Sequence, residues 1–287
     1  MSKKWIVGTA LTASAVTAVL FTAGVTGGTA QAAAPAAATN SAPRATTPKA
    51  SSAKKSTATG SKASAVSAAA TKRLAAAAAN VVSPEIVDVL ATSATSGAAG
   101  TGIVLTSTGE VLTNYHVITG ATQITATDIS TGRTYPATVV GYDAAADVAV
   151  LQLTGAHGLP TADLDTAEPS VGTTVVAVGN AEGEGGAPKW VSGTVTNDNR
   201  VVVATNEQGK SPESLTGMLQ DTAGIVPGYS GGPLVNTAGE VVGIDTSGSF
   251  TSLNKPATAA YAIPIAKALS IVDEIVAGQG TTTITLG

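Results

Sequence analysis

The stretch GTGIVLTSTGEVLTNYHVI, residues 100–118, reads as two short apolar runs joined by a tight turn. Within it TSTGEV (106–111) has the look of a hairpin connection, with Gly109 at the position where the backbone must reverse. A histidine, His116, follows directly after the second run. The same turn text returns at NTAGEV, residues 236–241. Further runs rich in Val, Ile and Thr lie on either side: PEIVDVLAT (84–92), TQITATDISTGRTYPATVVGYD (122–143), DVAVLQL (147–153), TTVVAVGN (173–180), WVSGTVTND (190–198), RVVVAT (200–205) and AAYAIPI (259–265). Gly, Asn and Asp separate them. A helical period emerges only at PIAKALSIVDEIVAG (264–278), which puts Ile265, Leu269, Val272 and Val276 on one face with Gly278 as cap. About ten short strands and one terminal helix indicate an all-β chain, an antiparallel barrel or sandwich.

The chain has 287 residues, enough for one large domain or two small ones. It has no cysteine, which excludes disulfides, thiolate zinc sites and a cysteine nucleophile. Its charges are segregated. Nine of the fifteen Lys and Arg precede residue 80, and no acidic residue precedes Glu85. From residue 81 onward six basic and nineteen acidic residues leave a net charge of −13, which argues against nucleic-acid binding by that part.

Residues 1–32 read as a secretory signal, with Lys3 and Lys4 ahead of an apolar stretch and AQA (30–32) as a small-residue cleavage site. An uncleaved anchor is the competing reading, since the stretch is just long enough to span. Either reading places the chain outside the cytoplasm, secreted or attached to the cell envelope. Residues 33–80 are nearly all Ala, Thr, Ser, Pro and Lys, too poor in large apolar groups to offset the entropy of ordering. They read as a disordered linker or pro-segment, with a short helix at Ala75–Ala79. Its basic charge suits a solubilising tether, or attraction to anionic cell-wall polymers or lipid head groups. Residues 81–287 form the expected folded domain.

The chemistry centres on PGYSGGPL, residues 227–234, where three glycines and two prolines surround Ser230. A serine hydroxyl becomes a nucleophile only with a base to take its proton, a carboxylate to orient that base, and N–H donors aimed at the developing oxyanion. Gly228 and Ser230 are spaced to supply two such N–H groups. Gly231 and Gly232 would let a substrate backbone approach closely. Only two histidines exist. His157, in TGAHGLP, reads as an ordinary exposed loop residue. His116 is the candidate base. In GYDAAADVAVLQL (141–153) Asp143 reads as a turn residue and Asp147, opening an apolar run, as the orienting carboxylate. Chain order then separates the serine-hydrolase classes. The α/β-hydrolase elbow needs a histidine after the serine, and none follows Ser230. A subtilisin order needs an aspartate before the histidine, and only Asp88 qualifies, in strand-like text. His116, Asp147, Ser230 is the order of the chymotrypsin class.

With these residues in place the chain resembles the trypsin-like serine proteases, specifically their bacterial HtrA/Deg branch. The matching text is GTGIVLTSTGEVLTNYHVI, DVAVLQL, VGTTVVAVGN, VSGTVT, QDTAGIVPGYSGGPLVNTAGEVVGIDT and YAIPI, spread over roughly residues 81–270. The resemblance implies two six-stranded antiparallel β-barrels, about 81–168 and 169–265, with the active site in the cleft between them. It implies His116 as general base, Asp147 as its partner, Ser230 as nucleophile, and Gly228 and Ser230 as the oxyanion hole. It implies protein or peptide substrates, and no metal or organic cofactor site is evident. The alternative is an inactive module of the same fold that binds peptides or wall components.

The departures from the family pattern carry their own expectations. Nine residues follow Gly278, so no carboxyl-terminal PDZ domain is expected in this chain. Tyr229 stands where relatives carry Asn or Asp, which argues against activation by a freshly cut amino terminus. Gly224 at the expected pocket base disfavours cleavage after Arg or Lys. With Ile225, Asp245 and Thr246 as walls, small or medium apolar side chains are the expected preference. Asp245 would also disfavour acidic ones.

Overall fold

The computed structural model describes residues 22–24, 58–180, 183–205, 213–249 and 257–287. Apart from Thr22–Gly24, the expected leader lies outside the described residues, as does the expected linker up to residue 57. The chain begins with β1 (Thr22–Gly24) and α1 (Ala58–Val82). The first barrel follows with β2 (Ile86–Thr92), β3 (Gly97–Val104), β4 (Glu110–Thr113), the one-turn helix α2 (Tyr115–Ile118), β5 (Gln123–Asp128), β6 (Thr134–Asp143) and β7 (Val148–Leu153). The second comprises β8 (Thr174–Gly179), β9 (Lys189–Thr205), β10 (Glu213–Asp221), β11 (Pro233–Val235), β12 (Val241–Ser249) and β13 (Ala259–Pro264). Helix α3 (Ile265–Val276) and β14 (Ile284–Leu286) close the chain.

Both sheets close on themselves. In the first, the strands run β6-β5-β2-β3-β4-β7, and β6 pairs with β7. In the second they run β12-β11-β8-β9-β10-β13, and β12 pairs with β13. Six antiparallel strands per barrel leave no free edge. One short strand is added to each: β14 lies against β6, with Ile284 opposite Asp143, and β1 runs antiparallel to β9 over Val203–Thr205. The two hairpins read from TSTGEV and NTAGEV form β3–β4 and β11–β12. Their glycines, Gly109 and Gly239, sit at φ +94° and +95°, the region that glycine enters without a Cβ clash. The two runs 190–198 and 200–205 fuse into the single long strand β9, whose ladder with β10 absorbs irregularities at Met218 and Gln220.

Each barrel is filled by the inward side chains of its own strands. Val87, Val104, Val111 and Leu151 are buried in the first and Val175, Val195, Leu219 and Leu234 in the second, while Ile86, Ile103, Leu112, Val148 and Val150 of the first barrel join Val176, Val178 and Ile244 of the second in one cluster shared by both. Each contributes about 1.5–3 kcal/mol relative to exposure. Helix α3 reaches across both barrels, and Ile275 packs so tightly on Gly141 of β6 that a Cβ there would lie 2.8 Å from it. The buried face of α3 is Ile265, Ala268, Val272 and Ile275. The expected face is therefore corrected: Leu269 is only partly covered and Val276 is 52 % exposed. Both spacings fit a helix, and packing against the barrels selects the phase. Gly278, at φ +68°, ends the helix with its N–H on the Ile275 carbonyl.

Helix α1 is longer than the short run expected at Ala75–Ala79, and residues 58–80 of the expected linker are helical. Its last turns are buried through Ala75, Ala78, Ala79 and Val82. Alanine has the highest helix propensity and brings the helix backbone close to the barrel. A Cβ on Gly239 would lie 2.8 Å from the Val81 Cβ. Among the described residues no helix is long and apolar enough to cross a membrane.

Candidate active site

His116 and Asp147 meet because β4 and β7 are neighbours. Thr113 at the end of β4 pairs with Ala149 near the start of β7, so the residues just beyond these ends face one another. His116 lies on the single turn α2, and Asp147 ends the turn that leads into β7. Among the described non-glycine residues Asp147 alone has a positive φ, +57°. Aspartate tolerates that conformation better than most residues. The conformation is fastened by Asn114, whose buried Nδ2 donates to the Asp147 carbonyl at 2.9 Å.

Asp147 is 2 % exposed, and its carboxylate accepts hydrogen bonds from three donors. The His116 backbone N–H donates to Oδ1 at 2.9 Å, and His116 Nδ1 donates to Oδ2 at 2.8 Å. The third donor is the Thr246 hydroxyl. A carboxylate can only accept here, so the neutral imidazole carries its proton on Nδ1 and its basic lone pair on Nε2. Thr246 also faces the serine: its carbonyl accepts the Ser230 hydroxyl at 3.3 Å. One residue of β12 thus ties the carboxylate of the first barrel to the serine of the second.

Ser230 sits on a turn that only glycines permit. Gly228 and Gly231 have φ values of +97° and +83°. A Cβ on Gly231 would lie 2.2 Å from the Thr101 carbonyl oxygen, and one on Gly232 2.5 Å from that of Val178. The close approach at Gly231 and Gly232 is therefore to β3 and β8 of the chain itself, where a substrate backbone was expected. Within this turn the N–H of Tyr229 donates to Val226, that of Gly231 to Asp245 and that of Gly232 to Tyr229. Among the described residues, the N–H groups of Gly228 and Ser230 meet no acceptor. Two neighbouring orphan donors can bind an oxyanion.

The other candidates separate. His157 is exposed, between Gly155 and Gly158. Asp143 binds the Ala146 N–H at 3.0 Å, as a turn residue does. Asp88 binds the Gly186 N–H at 3.1 Å, and burial pushes its carboxyl up to about 6. Of the proposed pocket residues, Gly224 is partly exposed, Ile225 is buried in the core of the second barrel, and Thr246 directs its hydroxyl at Asp147. Tyr229 is 2 % exposed in that same core, with its Cα and ring against Gly179. An aromatic anchor thus occupies the position before the serine.

Behind the serine turn lie two acids that have no basic neighbour among the described residues. Asp245, fully buried, bonds Gly231 and Gly232 through its backbone, while among the described residues neither carboxyl oxygen has a partner. Burial, reinforced by the Asp221 charge, pushes its carboxyl well above the ordinary range. Asp221 is pushed up to about 6 by burial, against the opposing Ala223 N–H. The sequence marks neither acid as one of a pair, since 23 residues of turn and strand separate them. Asn114 and the hydroxyl bond of Thr246 likewise have no local sequence signal. Among the described residues, no group of three His, Cys, Asp or Glu could hold a metal ion.

A family model described as "Trypsin-like peptidase domain" matches residues 100–244. Serine endoprotease DegS of Salmonella typhimurium is 36 % identical over 181 residues, covering 62 % of this chain and 48 % of DegS. Serine protease PepD of Mycobacterium tuberculosis is 32 % identical over 208 residues, covering 66 % and 43 %. Among solved structures, the HtrA-type protease AlgW with a tripeptide aligns with a TM-score of 0.61 at 30 % identity, covering 70 % of this chain and 63 % of that one. The chain spans about half the length of the curated relatives it matches.

Proposed function

Because the chain belongs to the trypsin-like peptidase family, we propose that it is a serine endopeptidase whose nucleophile is Ser230. The Ser230 Oγ attacks the carbonyl carbon of a peptide bond while His116 Nε2 takes the hydroxyl proton. Asp147 holds the ring in the tautomer that leaves Nε2 basic, and steadies the imidazolium that forms. The N–H groups of Gly228 and Ser230 bind the oxyanion of the tetrahedral intermediate. As that intermediate collapses, the C–N bond breaks, the leaving amine takes the proton from His116, and an acyl-enzyme remains on Ser230. Water, deprotonated by His116, then attacks the acyl carbon; the ester C–O bond breaks, Ser230 Oγ takes the proton back from His116, and the carboxylic acid product leaves.

The observation that carries this reading is the continuous path Ser230–Thr246–Asp147–His116, drawn from both barrels. Beside the serine, Tyr229 is buried with its Cα and ring against Gly179. The charged start and small-residue site of the first 32 residues motivate a place outside the cytoplasm, with protein or peptide substrates there. The basic segment before residue 80 motivates attraction to anionic wall or membrane surfaces.

A fluorophosphonate probe tests the mechanism. It should label the purified chain at Ser230 alone, located by mass spectrometry, and Ser230→Ala should abolish labelling without unfolding the protein. A folded wild-type chain that stays unlabelled, with and without peptides present, would favour a binding module without turnover.

A further inference from the structure

We propose that Thr101 is a positioning residue for the oxyanion hole, clamping the serine turn from the opposite barrel through both its backbone and its hydroxyl. The proposal rests on the mechanism above. Thr101 is fully buried on β3 of the first barrel. Its backbone N–H donates to the Ser230 carbonyl at 2.9 Å. Its Oγ1 donates to the Gly228 carbonyl at 2.8 Å. The two residues it grips are the two whose N–H groups would bind the oxyanion.

The hydroxyl has a defined direction. A threonine Oγ carries one hydrogen and accepts through its lone pairs. The Asn180 backbone N–H donates to it at 2.9 Å, so its own hydrogen is left for the Gly228 carbonyl. The Thr101 carbonyl in turn accepts the Thr113 hydroxyl at 2.7 Å. Every polar group of Thr101 is therefore engaged, and the clamp joins β4, the end of β8 and the serine turn.

The fit around the side chain is equally close. A Cβ on Gly179 would lie 2.7 Å from Thr101 Oγ1, and one on Gly232 3.2 Å from Thr101 Cβ. Two glycines thus leave the space that the threonine fills. A clamp is needed because Gly228, at φ +97°, is the most freely rotating residue type at a point where aim matters. Pinning its carbonyl, and that of Ser230, restricts rotation on the far side of each donating N–H. Donors fixed before reaction incur no reorganisation when charge develops.

The intact chain and three variants test the proposal. Thr101→Val keeps the shape and removes the hydroxyl; Thr101→Ser keeps the hydroxyl. Thr101→Ala removes the hydroxyl and leaves no γ atom that must fit the site. Each would be assayed for kcat and KM on an internally quenched peptide that the wild type cleaves, and for the rate of fluorophosphonate labelling at Ser230. Losing one oxyanion donor outright costs about 10²–10³ in kcat, so misaiming a donor should cost roughly tenfold to a hundredfold. Thr101→Val should show that loss in kcat and in labelling rate, with KM within about twofold of wild type, while Thr101→Ser stays within about threefold on all three. If Thr101→Val fails to fold, Thr101→Ala decides, with the same loss expected. A folded Thr101→Val with wild-type kcat and labelling rate overturns the clamp and leaves Ser230 as nucleophile standing. A wild-type chain without labelling at Ser230 overturns the mechanism and this proposal with it.

Discussion

Replacing Asp221 with asparagine should stabilise the folded chain at pH 8 and do far less at pH 4. Asp221 is fully buried at the end of β10, and burial raises its carboxyl from the ordinary 3.8 to about 6. The folded state thus holds this proton more tightly than the unfolded state does. A raised acid contributes no penalty below the unfolded value. Stability then falls as the pH climbs from about 4 through about 6, and levels off above. A shift of about two units at about 1.4 kcal/mol each makes the penalty at pH 8 about 3 kcal/mol. Asparagine cannot ionise, and its Oδ1 can still accept the Ala223 N–H, now 2.6 Å from Asp221 Oδ1. For a domain of this size about 3 kcal/mol corresponds to about 6–12 °C in Tm. The assay is urea and thermal unfolding, followed by circular dichroism, of both proteins at pH 4, 6 and 8. Glu85, pushed up to about 7, and Asp88, up to about 6, slope the same way in both proteins and cancel in the difference. Any constant cost of the new amide cancels too. Asp245 does not, because relief of the Asp221 charge eases its ionisation and enlarges the gain at high pH. A difference between the two proteins that is the same at pH 4 and pH 8 would refute the reasoning.

Other perturbations act on the site itself. Asp147→Asn should keep the fold, since asparagine also tolerates φ +57°, yet lower kcat by about 10⁴ by holding the wrong imidazole tautomer; steady-state cleavage of a quenched peptide measures it. Thr246→Val removes a hydroxyl bond to a charged group, of the kind that contributes about 1.5–3 kcal/mol, and kcat should fall roughly tenfold to a hundredfold with KM little changed. Gly239→Ala would meet Val81 at 2.8 Å and a φ of +95°, so urea unfolding should show a loss of about 1–3 kcal/mol where α1 docks.

What was legible in the sequence is what short stretches encode by themselves. TSTGEV and NTAGEV announce hairpins because a glycine at φ near +95° is a local requirement, satisfied wherever the strands later pack. Gly278 ends α3 for the same reason. With two histidines and one glycine-bound serine, a short residue inventory named His116, Asp147 and Ser230 as candidates. The phase of α3 was not legible, because Leu269 and Ala268 both suit a helix face and only the barrel surface chooses between them. Nor was the length of α1, whose alanines hold no apolar pattern until Gly239 and the second barrel meet them.

Sequence alone determined the alternation of strands and turns, the segregation of charge, and the residue types around Ser230. Tertiary structure alone decided how the two barrels are tied together there. Thr101 reaches Gly228 across 127 positions, and Thr246 reaches Asp147 across 99. Asp221 and Asp245 become a costly pair only when β10, β12 and β13 close the second barrel. Turn geometry follows from the φ and ψ preferences of a few adjacent residues. A hydroxyl finds its acceptor only when strand register and barrel closure have brought distant segments within about 3 Å.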